Sequence, residues 1–402
     1  MATLLTNCAV VDGVTDAARA DTSVLINGNT IGAVGPRAEL RDQAEQEVDL
    51  EGGYVMAGLA NMHVHFGLIL PGIAGDRLVN ETQAALGLRM AQNARATLHA
   101  GVTTVRLVGE RHHADFALKV SIASGETHGP RIFTAGMAVI ATGGHGHTRA
   151  GTIEADGADD FRKKVRMQLK AGADLIKICI SGGIAGEHEA IRDAQLSKDE
   201  MRAVMETAHG SGKKVTAHAG PAGAIRDAIE CGLDCVEHGY FLDPETIALM
   251  VQRGVWYVPT IVVSRCEEFF HKIGAPEWMI RKALEAGTLH FAALQGAIQA
   301  GVQIALGTDM MPAEPYEGTT ATVRELEFYV EAGMTPLQAV RVATLKPAEW
   351  LGVSGRQGTV EAGKLADLIA VDGDPTASIS NLRNLRFVMH DGQIVRHDPQ
   401  RT

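Results

Sequence analysis

Six side chains carry the chemistry this sequence offers: His63, His65, Lys177, His218, His238 and Asp309. His63 and His65 stand two residues apart, so in an extended segment both imidazoles fall on one side, where they can share a metal ion. An H-x-H pair recurs by chance, and its weight comes from the company it keeps. Lys177 interrupts the apolar run Leu175-Ile176-Lys177-Ile178-Cys179-Ile180. An ammonium buried there is expensive. Either it snorkels to the end of the run or pairs with an acid, or desolvation lowers its pKa until the neutral amine reacts with carbon dioxide. The resulting carbamate is an anionic ligand with two oxygens, able to bridge two metals. Donors that converge from separate segments are what a catalytic metal site needs.

A second group lies in Thr142-Gly143-Gly144-His145-Gly146-His147-Thr148-Arg149, where the glycines permit close backbone approach. Arg149 could meet a substrate carboxylate in a bidentate pair. A solvated loop is the competing reading for His147 and Arg149, and the favoured one for His188. His112, His113, His128, His271, His290, His390 and His397 read as surface residues, and the Cys231/Cys235 pair as ordinary packing.

The elements that must position these side chains are short and regular. Eight apolar runs are candidate strands: Tyr54–Leu59, Thr103–Val108, Arg131–Ala135, Asp174–Ile180, Lys214–Ala217, Cys235–Glu237, Trp256–Val258 and Gln303–Leu306. Between them lie amphipathic stretches such as Glu81–His99, Asp160–Ala171, Lys198–His209 and Glu277–Ala300. Ser197 with Glu200 and Thr335 with Gln338 form capping boxes, and Pro244 and Pro336 suit a first helical position. Alternating strands and helices predict parallel βαβ units, and eight such units close into a (β/α)8 barrel. An open doubly wound sheet is the competitor. It would want a glycine-rich phosphate fingerprint after its first strand, where this chain has Asn61-Met62-His63-Val64-His65. In the barrel all six side chains fall at the C-terminal ends of strands one, four, five, six and eight, where such folds do their chemistry.

Both ends of the chain differ from the middle. Thr3–Val11, Thr22–Ile26 and Thr30–Val34, with a turn at Asn27-Gly28-Asn29, read as short antiparallel strands. So do Ala366–Val371, Leu385–Met389 and Gln393–Arg396, with a turn at Asp391-Gly392. The expected fold class is α/β: a barrel over residues 57–352 and a small β-sandwich built from 1–56 and 353–402.

Composition narrows the partners. The 402 residues are 46% hydrophobic but only 4% aromatic, so the core must be aliphatic. A net charge of −11 without a basic cluster argues against nucleic acid and against an anionic membrane surface. The longest run lacking Asp, Glu, Lys and Arg, Gly52–Gly75, holds six glycines, Asn61, Pro71 and two histidines, which is a poor membrane helix. Met1–Val10 does not read as a signal peptide, and five scattered cysteines fit a reducing cytoplasm.

Taken together, His63-Val64-His65, Lys177 followed by Ser181-Gly182-Gly183, Ala217-His218-Ala219, Glu237-His238-Gly239, Gly307-Thr308-Asp309 and the late Gly363-Lys364-Leu365-Ala366-Asp367 resemble the amidohydrolase superfamily. Within it the chain is similar to the imidazolonepropionase-like branch, which includes Xaa-Pro and Xaa-Arg/Lys dipeptidases and ochratoxin-hydrolysing amidohydrolases. The resemblance implies two divalent ions, with zinc expected. His63, His65 and Asp309 would hold the more buried ion and His218 and His238 the more exposed one, bridged by carboxylated Lys177 and a hydroxide. It implies hydrolysis of an amide bond in a small molecule: an N-acyl amino acid, a dipeptide or an aryl amide such as an ochratoxin-like substrate. The hydroxide would attack the carbonyl, with Asp309 as base and then acid toward the leaving nitrogen. It further implies a substrate contact from His145 and a homo-oligomer.

Two positions depart from the family pattern. Ala60-Asn61 replace the usual Ile-Asp, which would alter hydrogen bonding behind the metals. Gly220 replaces a substrate-contacting Tyr, an expected widening of the pocket for a bulkier group. The alternatives are a mononuclear deaminase, a hydrolase of cyclic amides, ureas or carbamates, and a non-catalytic binding barrel. The deaminases typically carry a Glu shortly after the strand-five His, where this chain has Ala219, Gly220 and Pro221. A binding barrel would have lost metal ligands, and none is lost.

Overall fold

Short runs of Val, Ile, Leu and Thr, each too apolar to face water on either side, stack as parallel strands with amphipathic helices covering them. The computed structural model describes residues 2–147, 149 and 151–399. Leu59–Val64, Val102–Leu107 and Arg131–Thr134 make one parallel arc. Ile176–Cys179, Val215–Pro221, Cys235–Phe241 and Trp256–Val258 make a second, which also takes in the short strands Ala138–Ile140 and Thr152–Glu154. The arcs join on both sides. Asp174 N donates to Thr134 O at 2.8 Å. Opposite, Gln303–Leu306 threads between the first and seventh strands: Tyr257 N donates to Gln303 O at 2.8 Å, and Met62 N to Leu306 O at 2.7 Å. The result is a closed (β/α)8 barrel whose eighth strand is a single bridge, Tyr257 to Ile304.

The strand boundaries correct the sequence reading in two places. Tyr54–Leu59 is not the first barrel strand: Gln46–Ala57 belongs to the terminal sheet, and the barrel begins at Leu59. Both stretches are apolar, so hydropathy could not find the break between them. The fifth and sixth strands run on to Pro221 and Phe241, so His218 and His238 sit within strands rather than after them. Helices Lys198–His209 and Glu277–Ala300 have the expected limits, and both capping boxes are formed.

The two chain ends build one seven-stranded sheet in the order Gln393–His397, Leu385–His390, Leu368–Val371, Gln46–Ala57, Ala2–Val11, Ser23–Asn27, Thr30–Gly35. Its pairs are antiparallel, as expected, except that Ala2–Val11 runs parallel to Gln46–Ala57. The sheet folds over its own core of Leu5, Val10, Val24, Val55, Leu368 and Phe387. The tips of its two hairpins meet, with Asn29 Nδ2 3.2 Å from Asp391 Oδ1.

Candidate metal centre

Four imidazoles and a carboxylate converge at the C-terminal ends of the barrel strands. His63 Nε2 lies 3.3 Å from His65 Nε2 and 3.4 Å from Asp309 Oδ1, and His65 Nε2 lies 3.3 Å from the same oxygen. These three residues offer ligand atoms that all lie within 4.8 Å of one another. The ring of His238 stands 4.8 Å from that of His63 and 4.6 Å from that of His218. Each of the four histidines has one ring nitrogen held by a group outside the imidazole–Asp309 cluster. His63 Nδ1 is 2.5 Å from Glu237 Oε2, and His65 Nδ1 is 2.8 Å from Gly109 O. His218 Nε2 is 3.1 Å from Gly182 O, and His238 Nδ1 is 2.7 Å from Thr260 Oγ1. A histidine that ligates a metal usually has its other ring nitrogen anchored in this way.

Burial and charge set the protonation of this cluster. Burial holds His218 and His238 well below the ordinary histidine range, so both are neutral donors. Burial alone would raise Asp309, but His63 and His65 outweigh it and keep the carboxylate ionised. Lys177 is 3% exposed, lines the same cavity, and its Nζ has no hydrogen-bond partner among the described residues. A buried orphan amine beside four imidazoles is costly as it stands. Converted to a carbamate it becomes an anionic ligand, and the cost turns into a function. The donor set therefore fits divalent metal.

Four residues that sequence reasoning gave no role hold the cluster in place. Glu237 is fully buried beneath His63, where it accepts from Arg106 and Thr216. Burial would raise its pKa, but Arg106, Lys177 and His63 prevail and keep it ionised. Arg106, equally buried, also donates to Met62 O at 2.5 Å and stacks 4.5 Å from the Trp350 ring. Thr260 holds His238 from a left-handed backbone conformation, φ 59°, which is strained for a β-branched residue. Glu325 fixes that turn by accepting from Ile261 N and Val262 N at 2.7 Å each. Burial pushes the Glu325 carboxyl up to about 8. Asn61 serves as a staple. Its Oδ1 accepts from His63 N and Thr308 N at 3.2 Å each, and its Nδ2 donates to Thr308 Oγ1 at 2.9 Å.

Above the cluster lies a cavity of about 690 Å³. His145, His147, Arg149 and His188 all line it. His145 stacks on His218 with ring centroids 4.1 Å apart. Arg149 is already paired, 2.8 Å from Asp76 Oδ1. Gly220 has a different place from the one expected. It is not among the lining residues: a Cβ there would overlap Ile191 O, and its N donates to Ser181 Oγ at 2.9 Å. The main chain of the 181–195 segment, not open space, occupies the position of the missing side chain. His290 also differs from its surface reading. It is fully buried behind the cluster, with Nε2 2.9 Å from His238 O and 2.8 Å from Pro259 O, and burial pushes its pKa down to about 4.

A (β/α)8 barrel with its cavity over the C-terminal strand ends, floored by convergent histidines and a carboxylate, is built as a barrel enzyme is. The amidohydrolase family matches residues 54–395. The ochratoxinase of Aspergillus niger is 30% identical over 370 residues, 84% of this chain and 74% of that protein. Among solved structures, a Xaa-Pro dipeptidase with bound methionine in the active site shares 33% identity at a TM-score of 0.88, covering 98% of this chain and all of that one. A prolidase complexed with N-methylphosphonate-L-proline shares 28% identity at a TM-score of 0.90, over 99% of this chain. The chain belongs to the amidohydrolase family and is a hydrolase of carbon–nitrogen bonds.

Proposed function

We propose that the protein is a binuclear metal-dependent amidohydrolase acting on an amide bond of a small molecule: an N-acyl amino acid, a dipeptide or an aryl amide. The observation that carries this is the Nζ of Lys177, without a partner among the described residues and buried on the wall of the cavity that His63, His65, His218, His238 and Asp309 also line. One ion would be held by His63, His65 and Asp309 and the other by His218 and His238, with the Lys177 carbamate as the anion between them. Bound there, two divalent ions supply a hydroxide nucleophile near neutral pH and a polarised carbonyl. A nitrogen and oxygen donor set suits zinc.

The remaining work belongs to side chains. Asp309, the ionised carboxylate that reaches the cavity, takes the proton of the hydroxide as it adds to the carbonyl and returns it to the leaving nitrogen. Leu68, Leu70, Pro71, Ile73, Pro276 and Trp278 give the cavity an apolar wall, and its volume suits a bulky group beside the amide. The likeness to an ochratoxinase and to Xaa-Pro dipeptidases supports an amide over a cyclic urea or carbamate. The reading extends to a homo-oligomer and to a cytoplasmic setting, which five free thiols support.

Metal analysis with intact-mass measurement of Lys177 tests the centre. Two ions per chain and a carbamate are expected; a single ion with an unmodified amine overturns the binuclear reading. Lys177→Ala should abolish most activity. A screen of N-acyl amino acids, dipeptides and aryl amides tests the substrate, and turnover of cyclic ureas or lactones alone would refute the amide.

A further inference from the structure

A second carboxylate–imidazole pair stands in the cavity wall. His145 Nδ1 lies 2.5 Å from Glu189 Oε1. The other carboxylate oxygen, Glu189 Oε2, accepts from Gln195 Nε2 at 2.8 Å, and Gln195 Oε1 accepts from His145 N at 3.0 Å. The three side chains thus close a ring through the backbone of His145. Gly183 N adds a bond to Glu189 Oε1 at 3.2 Å. The imidazole is also clamped on its faces. It stacks on His218 with planes 21° apart, and a Cβ at Gly183 would overlap it. Lys282, on the helix Glu277–Ala300, pins the segment from behind by donating to Gly186 O and Glu189 O.

The arrangement matches that of Glu237 behind His63, but the outer nitrogen has a different fate. His145 Nε2 has no partner among the described residues, and His145 lines the cavity. An acceptor at Nδ1 puts the ring proton there and leaves Nε2 as the one position open to a ligand.

We propose that Glu189, supported by Gln195, is a positioning residue that fixes the plane and tautomer of His145 so that Nε2 meets a polar atom of the substrate beside the scissile bond. Glu189 acts only through His145 and holds no metal. The inference rests on the amide-hydrolase reading in one respect, that substrate rather than metal meets Nε2.

A double-mutant cycle on the metal-loaded full chain tests it, using whichever carbon–nitrogen substrate the wild type turns over. An enzyme that cleaves only cyclic ureas would therefore overturn the amide reading and still decide this one. His145→Ala and Glu189→Leu should each lower kcat/KM by about 10- to 100-fold, the usual worth of a group that orients a histidine. The double variant should be no worse than His145→Ala alone, and metal content should stay at the wild-type value throughout. Glu189→Gln, which keeps an acceptor for Nδ1, should recover most of the loss. Should Glu189→Leu fail to fold, Gln195→Leu must show the same non-additivity with His145→Ala. Losses that multiply in the double variant, or metal lost with Glu189→Leu, would overturn the proposal.

Discussion

The two halves of the donor cluster are held by different chemistry. His63 and His65 share the carboxylate of Asp309, and His63 is backed by a second, Glu237, itself neutralised by Arg106. His218 and His238 rest on neutral acceptors, a main-chain oxygen and a threonine hydroxyl. A cation entering the first half meets negative charge already desolvated and oriented. A cation entering the second would meet two neutral imidazoles and, on the binuclear reading proposed above, would depend on the Lys177 carbamate for its anion. On that proposed reading the first half is the tighter site and the second the more labile one.

The sharpest way to break this contrast is Asp309→Asn, which removes charge from the first half and the proposed proton carrier at once. Steady-state kinetics should show kcat down by about 10²- to 10⁴-fold, and metal analysis should show the tight ion lost. Glu237→Gln comes next. It leaves Arg106 buried without its anion, which should cost about 3–5 kcal/mol in chemical denaturation. It should also weaken activity by about 10- to 100-fold through a disoriented His63. Chelator titration reads the contrast directly: one ion per chain should leave well before the other, and simultaneous release would contradict the division. Thr260→Val removes the acceptor of His238 and should weaken the labile ion alone, by about tenfold, in competition with a metal indicator. Gly220→Ala has the smallest effect on catalysis. It should lower stability by about 1–3 kcal/mol by crowding Ile191, with KM for a bulky amide almost unchanged.

Much of the site was legible because residue type betrays it. A lysine in the run Leu175–Ile180 is anomalous, and so are histidines at the ends of apolar strands. The same rule applied evenly would have found more. Arg106 in Val102–Leu107 and Glu237 in Cys235–Phe241 are charges in apolar strands too, and they bury each other. His290 also left a trace. It repeats at helical spacing with Ala283, Ala286, Ala293, Leu294 and Ala297, the buried face of its helix. Glu189 left none, because a glutamate in a polar segment looks solvated until the segment folds over His145.

The sequence by itself determined the alternation of strands and helices, several helix limits and the six candidate side chains of the proposed metal centre. These depend on local periodicity, capping and the cost of burying charge, all readable over a few residues. Only the tertiary structure decided where the terminal sheet yields to the barrel, that Gln303–Leu306 closes the cylinder with one bridge, that Ile191 occupies the space beside Gly220, and which carboxylate stands behind which histidine. Each of those is a contact between segments distant in the chain. Pairing of that kind is fixed by the packing of the whole barrel rather than by the preferences of any one stretch.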